Sequence, residues 1–453
     1  MITEEIYTES PSEASSMPST LAELLQWRAL TCPDQLAYTF LVNDEGEEVS
    51  VTYSQLDHQV RAIAASIQSS AAPGDRVLLL YPPGLEFIGA FFGCLYAGVI
   101  AVPAYPPRLN RSMRRLQAIM ADAQPTLALM TSTIMSRAAL SLAAAPEINN
   151  VRWLATDSEL DCVETDWHER ATSPTAIAFL QYTSGSTGKP KGVMLSHENL
   201  LHNASLVYNA VEHSSTDKYV SWLPTFHDMG FMAGVLQPLY GGFPVILMSP
   251  ESFLQQPIRW LQAISRNKAT TSGGPNFAYD LCVRKISDEQ RAGLDLSSWT
   301  VAFNGAEPIH HATLERFATA FGSCGFRRET FYPCYGLAEA TLMVSAGRKA
   351  DTPISKRILA TALQHNQLIE DSAGIEDVKS LVGCGTTLQD QRIVIAHPDL
   401  RTICPPGKVG EIWLSGRSVA QGYWNNPAET QLTFQAFLSD TDDGPFLRTG
   451  DLG

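Results

Sequence analysis

Residues 182–192 read YTSGSTGKPKG, and this stretch decides how the rest of the chain is read. It follows the strand-like IAFLQ and precedes GVMLSH, so it is a loop thrown off one strand and taken up by the next. Thr183, Ser184, Ser186 and Thr187 supply hydroxyls, while Gly185 and Gly188 let backbone N–H groups close around an anion. Lys189 adds a positive charge and Pro190 stiffens the exit. A flexible linker would share the Gly and Ser content but would not account for the two lysines beside a proline, or for the flanking strands. A Walker loop is excluded, because its GxxxxGK must be followed by Ser or Thr and here Lys189 is followed by Pro190. The stretch has what a triphosphate-holding loop needs.

Outward from the loop, strands and helices alternate. TLALMTS, RWLAT, IAFLQYTS, VSWLPTF, FPVILMS and TVAFNGAEP read as strands, with helices ENLLHNASLVYNAV, PIRWLQAIS and HHATLERFATAFG among them. This order predicts an α/β architecture with largely parallel, buried sheets. TLAELLQWRAL opens a first helix, with Thr20 and Glu23 at capping-box spacing. A hairpin turning around Asn43 to Gly46 follows, then the amphipathic YSQLDHQVRAIAASIQ. Between Glu86 and Arg108 no residue is charged, a run long enough to span a bilayer. Gly89, Gly93, Gly98 and Pro103 interrupt it, and DRVLLLY precedes it, so a buried βαβ unit with a helix over about 85–97 is the expectation, without stable membrane insertion. After about Thr386 short alternating strands, QRIVIAH and GEIWLSG, predict a small β subdomain.

The 453 residues are too many for one ordinary core, so two or three packed units are expected. The net charge of −15 argues against a nucleic-acid surface but says nothing about ATP, which needs only local donors. None of the eight cysteines forms a CxxC pair, so neither a zinc site nor a redox motif is indicated, and free thiols in a reducing cytoplasm are expected. The acidic, Ser- and Pro-rich residues 1–19 carry no signal peptide and read as a disordered tail.

The loop resembles the phosphate-binding signature of the adenylate-forming superfamily, which includes acyl-CoA synthetases, luciferases, peptide-synthetase adenylation domains and fatty acyl-AMP ligases. FHDMG (226–230), FNGAEP (303–308), YGLAEAT (335–341) and RTGDLG (448–453) follow in the order expected of that family. The resemblance implies its large N-terminal domain: two α/β subdomains with layered sheets over 20–345, and a small β-barrel-like subdomain over 381–453. It also implies roles. Residues 183–189 would hold the phosphates, and Gly305, Ala306 and Glu307 would form the adenine edge beside Tyr335 and Gly336. Asp451 would accept the ribose hydroxyls, Glu339 would ligate Mg²⁺, and Lys189, Glu339 and His227 would act in catalysis.

Within the superfamily three features are similar to fatty acyl-AMP ligases: VPAYPP at 102–107, the small-residue-rich SGGPNFAYDLC at 272–282, and an insertion at 346–380. The resemblance then implies a fatty acid as substrate. It places the acyl pocket at His227, Asp228, Met229, Gly230 and Gly274, with His227 gating it. The acyl-adenylate would pass to an acyl carrier protein of a polyketide or lipid synthase; an acyl-CoA synthetase and a non-catalytic nucleotide- or lipid-binding homologue are the alternatives. The family continues past RTGDLG into a mobile domain whose lysine contacts the substrate carboxylate. This chain stops at that turn, so binding of ATP with weak catalysis is expected.

Overall fold

The computed structural model describes residues 18–42, 47–106, 113–142, 151–158, 162–183, 189–371, 374 and 377–453. The expected tail up to residue 17, the turn at 43–46 and loop residues 184–188 lie outside them.

Two large sheets dominate the described residues. The first runs in the order Arg152–Ala155, Leu127–Met130, Arg76–Leu80, Ile100–Pro103, Ile177–Thr183, Lys191–Ser196, parallel except for its last pair. Its central strands are apolar on both faces, because both faces are covered. Leu79, Ala101, Leu129 and Phe179 point into a core shared with the second sheet. Leu78, Leu80, Val102 and Met130 pack instead under Leu116, Ile119 and Met120 of the helix Arg114–Ala123.

The second sheet has nine strands. Leu36–Leu41, Val245–Met248, Tyr219–Ser221, Thr271–Gly274, Val301–Asn304 and Phe331–Gly336 lie side by side and parallel, with antiparallel strands only at the rims. The chain lays Val245–Met248 on one side of Tyr219–Ser221 and the next three strands on its other side. That makes the carboxyl end of Tyr219–Ser221 a topological switch point, where a crevice forms.

Helices Tyr53–Gln68 and Leu85–Ala97 fill the space between the sheets. Phe91 is the hub of this seam, with ring centroids 4.5 Å from Phe231, 5.4 Å from Phe92 and 5.8 Å from Phe179. The uncharged run after Glu86 is thus a 13-residue buried helix followed by a strand. No helix among the described residues is long and apolar enough to cross a membrane. The predicted capping box at Thr20 is present: its side chain accepts the Glu23 N–H and Glu23 answers on the Thr20 N–H.

One predicted strand is shorter than its sequence. VSWLPTF is extended only through Ser221, because the Leu223 N–H turns to the Ser221 hydroxyl and the Pro224 carbonyl accepts the His227 N–H in a turn. Toward the C-terminus, Gln391–Ala396, Glu411–Gly416 and Leu447–Leu452 form a three-stranded antiparallel sheet. Ser355–Leu359 pairs antiparallel with Val378–Val382, a separate hairpin that starts inside the predicted insertion and ends just beyond it.

Candidate active site

The loop that opened the sequence reading hangs from an antiparallel pair whose last partners are Thr183 and Lys191. Of the expected phosphate-holding residues, Thr183 and Lys189 are described, and Lys189 is exposed. The hairpin is braced from three directions. The Tyr182 hydroxyl donates to Asp122 (2.6 Å), Gln181 Nε2 donates to the Phe226 carbonyl (3.1 Å), and residues 421–424 add on beside Gly192 and Met194. Lys191 is held by Glu429 at 2.5 Å and lies over the Tyr423 ring.

Glu339 stands at the tip of the connection between Phe331–Gly336 and Met343–Ala346, on a single 3₁₀ turn, Ala338–Ala340. The connection is forced tight. A Cβ on Gly336 would come within 1.7 Å of the Leu342 carbonyl, and buried Thr341 takes a φ of 71°, a region β-branched residues avoid. Thr341 is kept there by its hydroxyl, which donates to the Ser418 carbonyl at 2.6 Å. The same neighbouring segment fixes Glu339, whose carbonyl accepts the Ala420 N–H and whose Oε1 accepts the Tyr423 hydroxyl at 2.8 Å. Burial raises the Glu339 pKa above the ordinary carboxylate range, the Tyr423 hydrogen bond opposes the shift, and nearby Asp228 adds to it. Tyr423 was not foreseen: a GYW triplet in a loop carries no signal of its own.

Tyr335, on the same strand as Gly336, donates its hydroxyl to Asp451 at 2.7 Å. Gly305 and Ala306 lie at the carboxyl end of the neighbouring strand, where a Gly305 Cβ would sit 2.9 Å from the Cys334 carbonyl and Ala306 has a φ of 67°. The Glu307 side chain turns away and accepts the Phe277 N–H at 2.6 Å, capping the helix Asn276–Lys285.

His227 and Asp228 emerge at the switch point. Their side chains meet at 2.5 Å, with His227 about half exposed and Asp228 largely covered. The Asp228 hydrogen bond raises the His227 pKa, against burial and the charge of Arg115. From Asp228 the chain runs as one continuous helix to Gly241, with a π-helical segment, Met232–Leu236, in its middle. Such turns collect at functional sites.

A cavity of about 180 Å³ opens where these groups meet. His227, Asp228, Gly305, Ala306, Tyr335 and Gly336 surround its mouth, and its wall is mostly apolar. Met229 lines it; Gly230 and Gly274 do not. Gly230 permits the turn, since a Cβ there would lie 2.2 Å from the Pro224 carbonyl, and a Cβ on Gly274 would lie 2.7 Å from the Trp222 ring. The segment 272–282 therefore builds mainly an aromatic cluster, with Ser272 accepting the Trp260 indole N–H and Tyr279 donating to the Phe303 carbonyl.

No group of three or more His, Cys, Asp or Glu residues among those described forms a metal cage. A lone carboxylate with one oxygen held by a hydroxyl still suits Mg²⁺, which usually takes one or two protein carboxylates and completes its shell with waters and substrate phosphates.

A model of the AMP-binding enzyme family matches residues 25–424. The chain is 45% identical over 441 residues to a medium-chain-fatty-acid–[acyl-carrier-protein] ligase of Moorena producens, covering 96% of this chain and 74% of that protein. A ligase of the same description from Teredinibacter turnerae is 35% identical over 478 residues, with the same two shares. Among solved structures, the fatty acyl-adenylate ligase of Legionella pneumophila, in complex with acyl adenylate and pyrophosphate, superposes with a TM-score of 0.90 at 44% identity. It covers 96% of this chain and 75% of that one.

Proposed function

This chain belongs to the AMP-binding enzyme family, and on that footing we propose that it is a fatty acyl-AMP ligase. In this reading it joins a fatty acid to the AMP part of ATP, releases pyrophosphate, and delivers the acyl group to an acyl carrier protein. The observation that carries the reading is the junction at Tyr335 and Gly336, where a polar cluster containing Glu339 and Asp451 meets the mouth of an apolar cavity. A nucleotide and an acyl chain need these two environments side by side.

The reaction is an in-line displacement in which the carboxylate oxygen attacks the α-phosphorus and pyrophosphate leaves. The protein supplies position and charge rather than a covalent intermediate. Residues 183–189 hold the phosphates, with Lys189 as the cation; among the described residues Lys189 has no competing acidic partner. Asp451 accepts from the ribose hydroxyls, and its bond from Tyr335 sets its direction. Bound at Glu339, Mg²⁺ would neutralise phosphate charge, and Tyr423 orients the carboxylate for it. His227 gates the cavity, its ring held by Asp228. The relatives' acceptor supports a carrier protein as partner, and the eight unpaired cysteines support a reducing, cytoplasmic location.

The test is a thioester assay with ATP, Mg²⁺, a medium-chain fatty acid, and either coenzyme A or a phosphopantetheinylated carrier protein. Acyl-adenylate, trapped as the hydroxamate, and acyl-carrier protein are expected. Robust acyl-CoA formation would replace this reading with an acyl-CoA synthetase, and absence of any adenylate would leave a nucleotide-binding homologue.

A further inference from the structure

The cavity wall is apolar along most of its depth, but its floor is not. Alternation along a strand puts residues 301, 303 and 305 on one face, and Val301, Phe303 and Gly305 all line the cavity. Four residues at about 3.3 Å each set the Val301 level roughly 13 Å below Gly305. Tyr219 and Thr271 share that level, because Thr271 pairs in register with both Tyr219 and Val301. The facing helix descends equally far. Met229, Ala233 and Gln237 follow at four-residue spacing, and eight residues of helix rise about 12 Å.

Two side-chain groups at this floor have no hydrogen-bond partner among the described residues: the Tyr219 hydroxyl and the Gln237 amide nitrogen. The two residues are only 2% and 3% exposed. The Ser221 hydroxyl, two residues along the strand, lies near enough to the phenol to lower its pKa slightly but not in hydrogen-bond geometry. Other polar groups nearby are committed: the Tyr332 hydroxyl donates to the Ala210 carbonyl at 3.0 Å, and His213 Nδ1 pairs with Asp217 at 3.1 Å. Burial keeps Tyr219 a neutral phenol, so both unpartnered groups are donors in want of an acceptor. Buried donors are rarely left so, and a plain hydrocarbon tail would leave both unmet. Leu or Phe at these positions would suit such a tail better.

We propose that the floor is a subsite for an oxygen carried at the far end of the acyl chain, which accepts hydrogen bonds from Tyr219 and Gln237. The preferred substrate is then a hydroxy- or oxo-substituted acid rather than an unsubstituted one. This rests on the adenylating reading above and specifies the substrate class of that same cavity. The alternation of apolar wall and polar floor also sets a length, because the oxygen must reach the Val301 level.

The test titrates two series of acyl-sulfamoyl-adenosines into the 453-residue chain by calorimetry, in lengths that bracket the cavity depth. One series ends in a methyl group and the other in a hydroxyl. At the length that reaches the floor, the hydroxylated analogue is expected to bind at least about tenfold more tightly, since a site built to hydrogen-bond a group rejects the analogue lacking it. Tyr219→Phe and Gln237→Met, both close in volume, are expected to bring the ratio between the two analogues toward one. Equal or tighter binding of the methyl-terminated analogue at every length overturns the subsite while leaving the adenylating reading in place. Failure of both series to bind overturns that reading as well.

Discussion

The aromatic seam between the two sheets and the polar cluster at their strand ends are built on opposite principles. In the seam, Phe87, Phe91, Phe92, Phe179 and Phe231 are all fully covered and satisfied by one another. At the strand ends, Glu339 is partly buried at a cost, Thr341 and Ala306 hold positive φ angles, and Lys189 stands exposed without an acidic partner among the described residues. The first region supplies stability that the second spends on readiness. Strain and desolvation of this kind persist only when the surroundings over-determine them. Here the surroundings are the 418–423 segment, which fastens Thr341 and Glu339 from outside their own hairpin.

If that division holds, damage to the two regions should be separable. Phe91→Ala removes the hub of the seam and is expected to cost about 3–5 kcal/mol of unfolding free energy, read from the denaturant midpoint, with nucleotide affinity retained by the folded fraction. Glu339→Gln should do the reverse. Adenylate formation is expected to fall about 10²–10³-fold, while the unfolding midpoint stays the same or rises. The sign follows from the pKa. A carboxyl whose folded-state value is raised binds its proton more tightly when folded, so the wild type loses a little stability as pH climbs through that value. The Gln variant should lack that loss, and an equal fall in both proteins would place the charge elsewhere.

His197 tests the covered region from the acid side. Burial lowers its pKa to about 4, and its Nδ1 accepts the Leu21 N–H at 3.2 Å, which only the neutral ring can do. A base with a depressed folded-state pKa binds fewer protons folded than unfolded, so stability should decline as pH falls from about 6.5 toward 4. The loss is of order 3 kcal/mol. Hydrogen exchange at the helix Leu21–Thr31 should report it first. Tyr423→Phe is the mildest change. Losing one hydrogen bond to Glu339 should cost about 1 kcal/mol of stability or less, yet raise the Mg²⁺ concentration needed for half-maximal adenylate formation several-fold. An unchanged Mg²⁺ requirement would separate Tyr423 from the metal.

Much of the fold was readable because its signals are local. VLLL at 77–80, LALM and VILM are apolar without alternation, as strands covered on both faces must be. Thr20 and Glu23 announced the first helix, and the interrupting glycines identified 85–97 as a buried helix rather than a membrane span. Where local rules competed, the sequence misled. VSWLPTF has strand composition, but Ser221 and Pro224 recruit the backbone into a turn. The residues expected at the acyl pocket, His227, Asp228, Met229, Gly230 and Gly274, fall into two groups in the structure. His227, Asp228 and Met229 line the cavity, whereas Gly230 and Gly274 are small because backbone and indole press against them.

The sequence by itself determined the alternation of strand and helix, the helix caps, and a loop chemically suited to phosphate, because each depends on residues within one turn or one strand of each other. Tertiary structure decided what faces what. Tyr423 meets Glu339 across 84 positions, Asp451 meets Tyr335 across 116, and Tyr219 shares the cavity floor with Gln237 on a different element. Those meetings follow from the order in which strands are laid into a sheet and from which helix packs over the switch point. No periodicity within a single segment encodes that order, since it is set by burial summed over the whole chain.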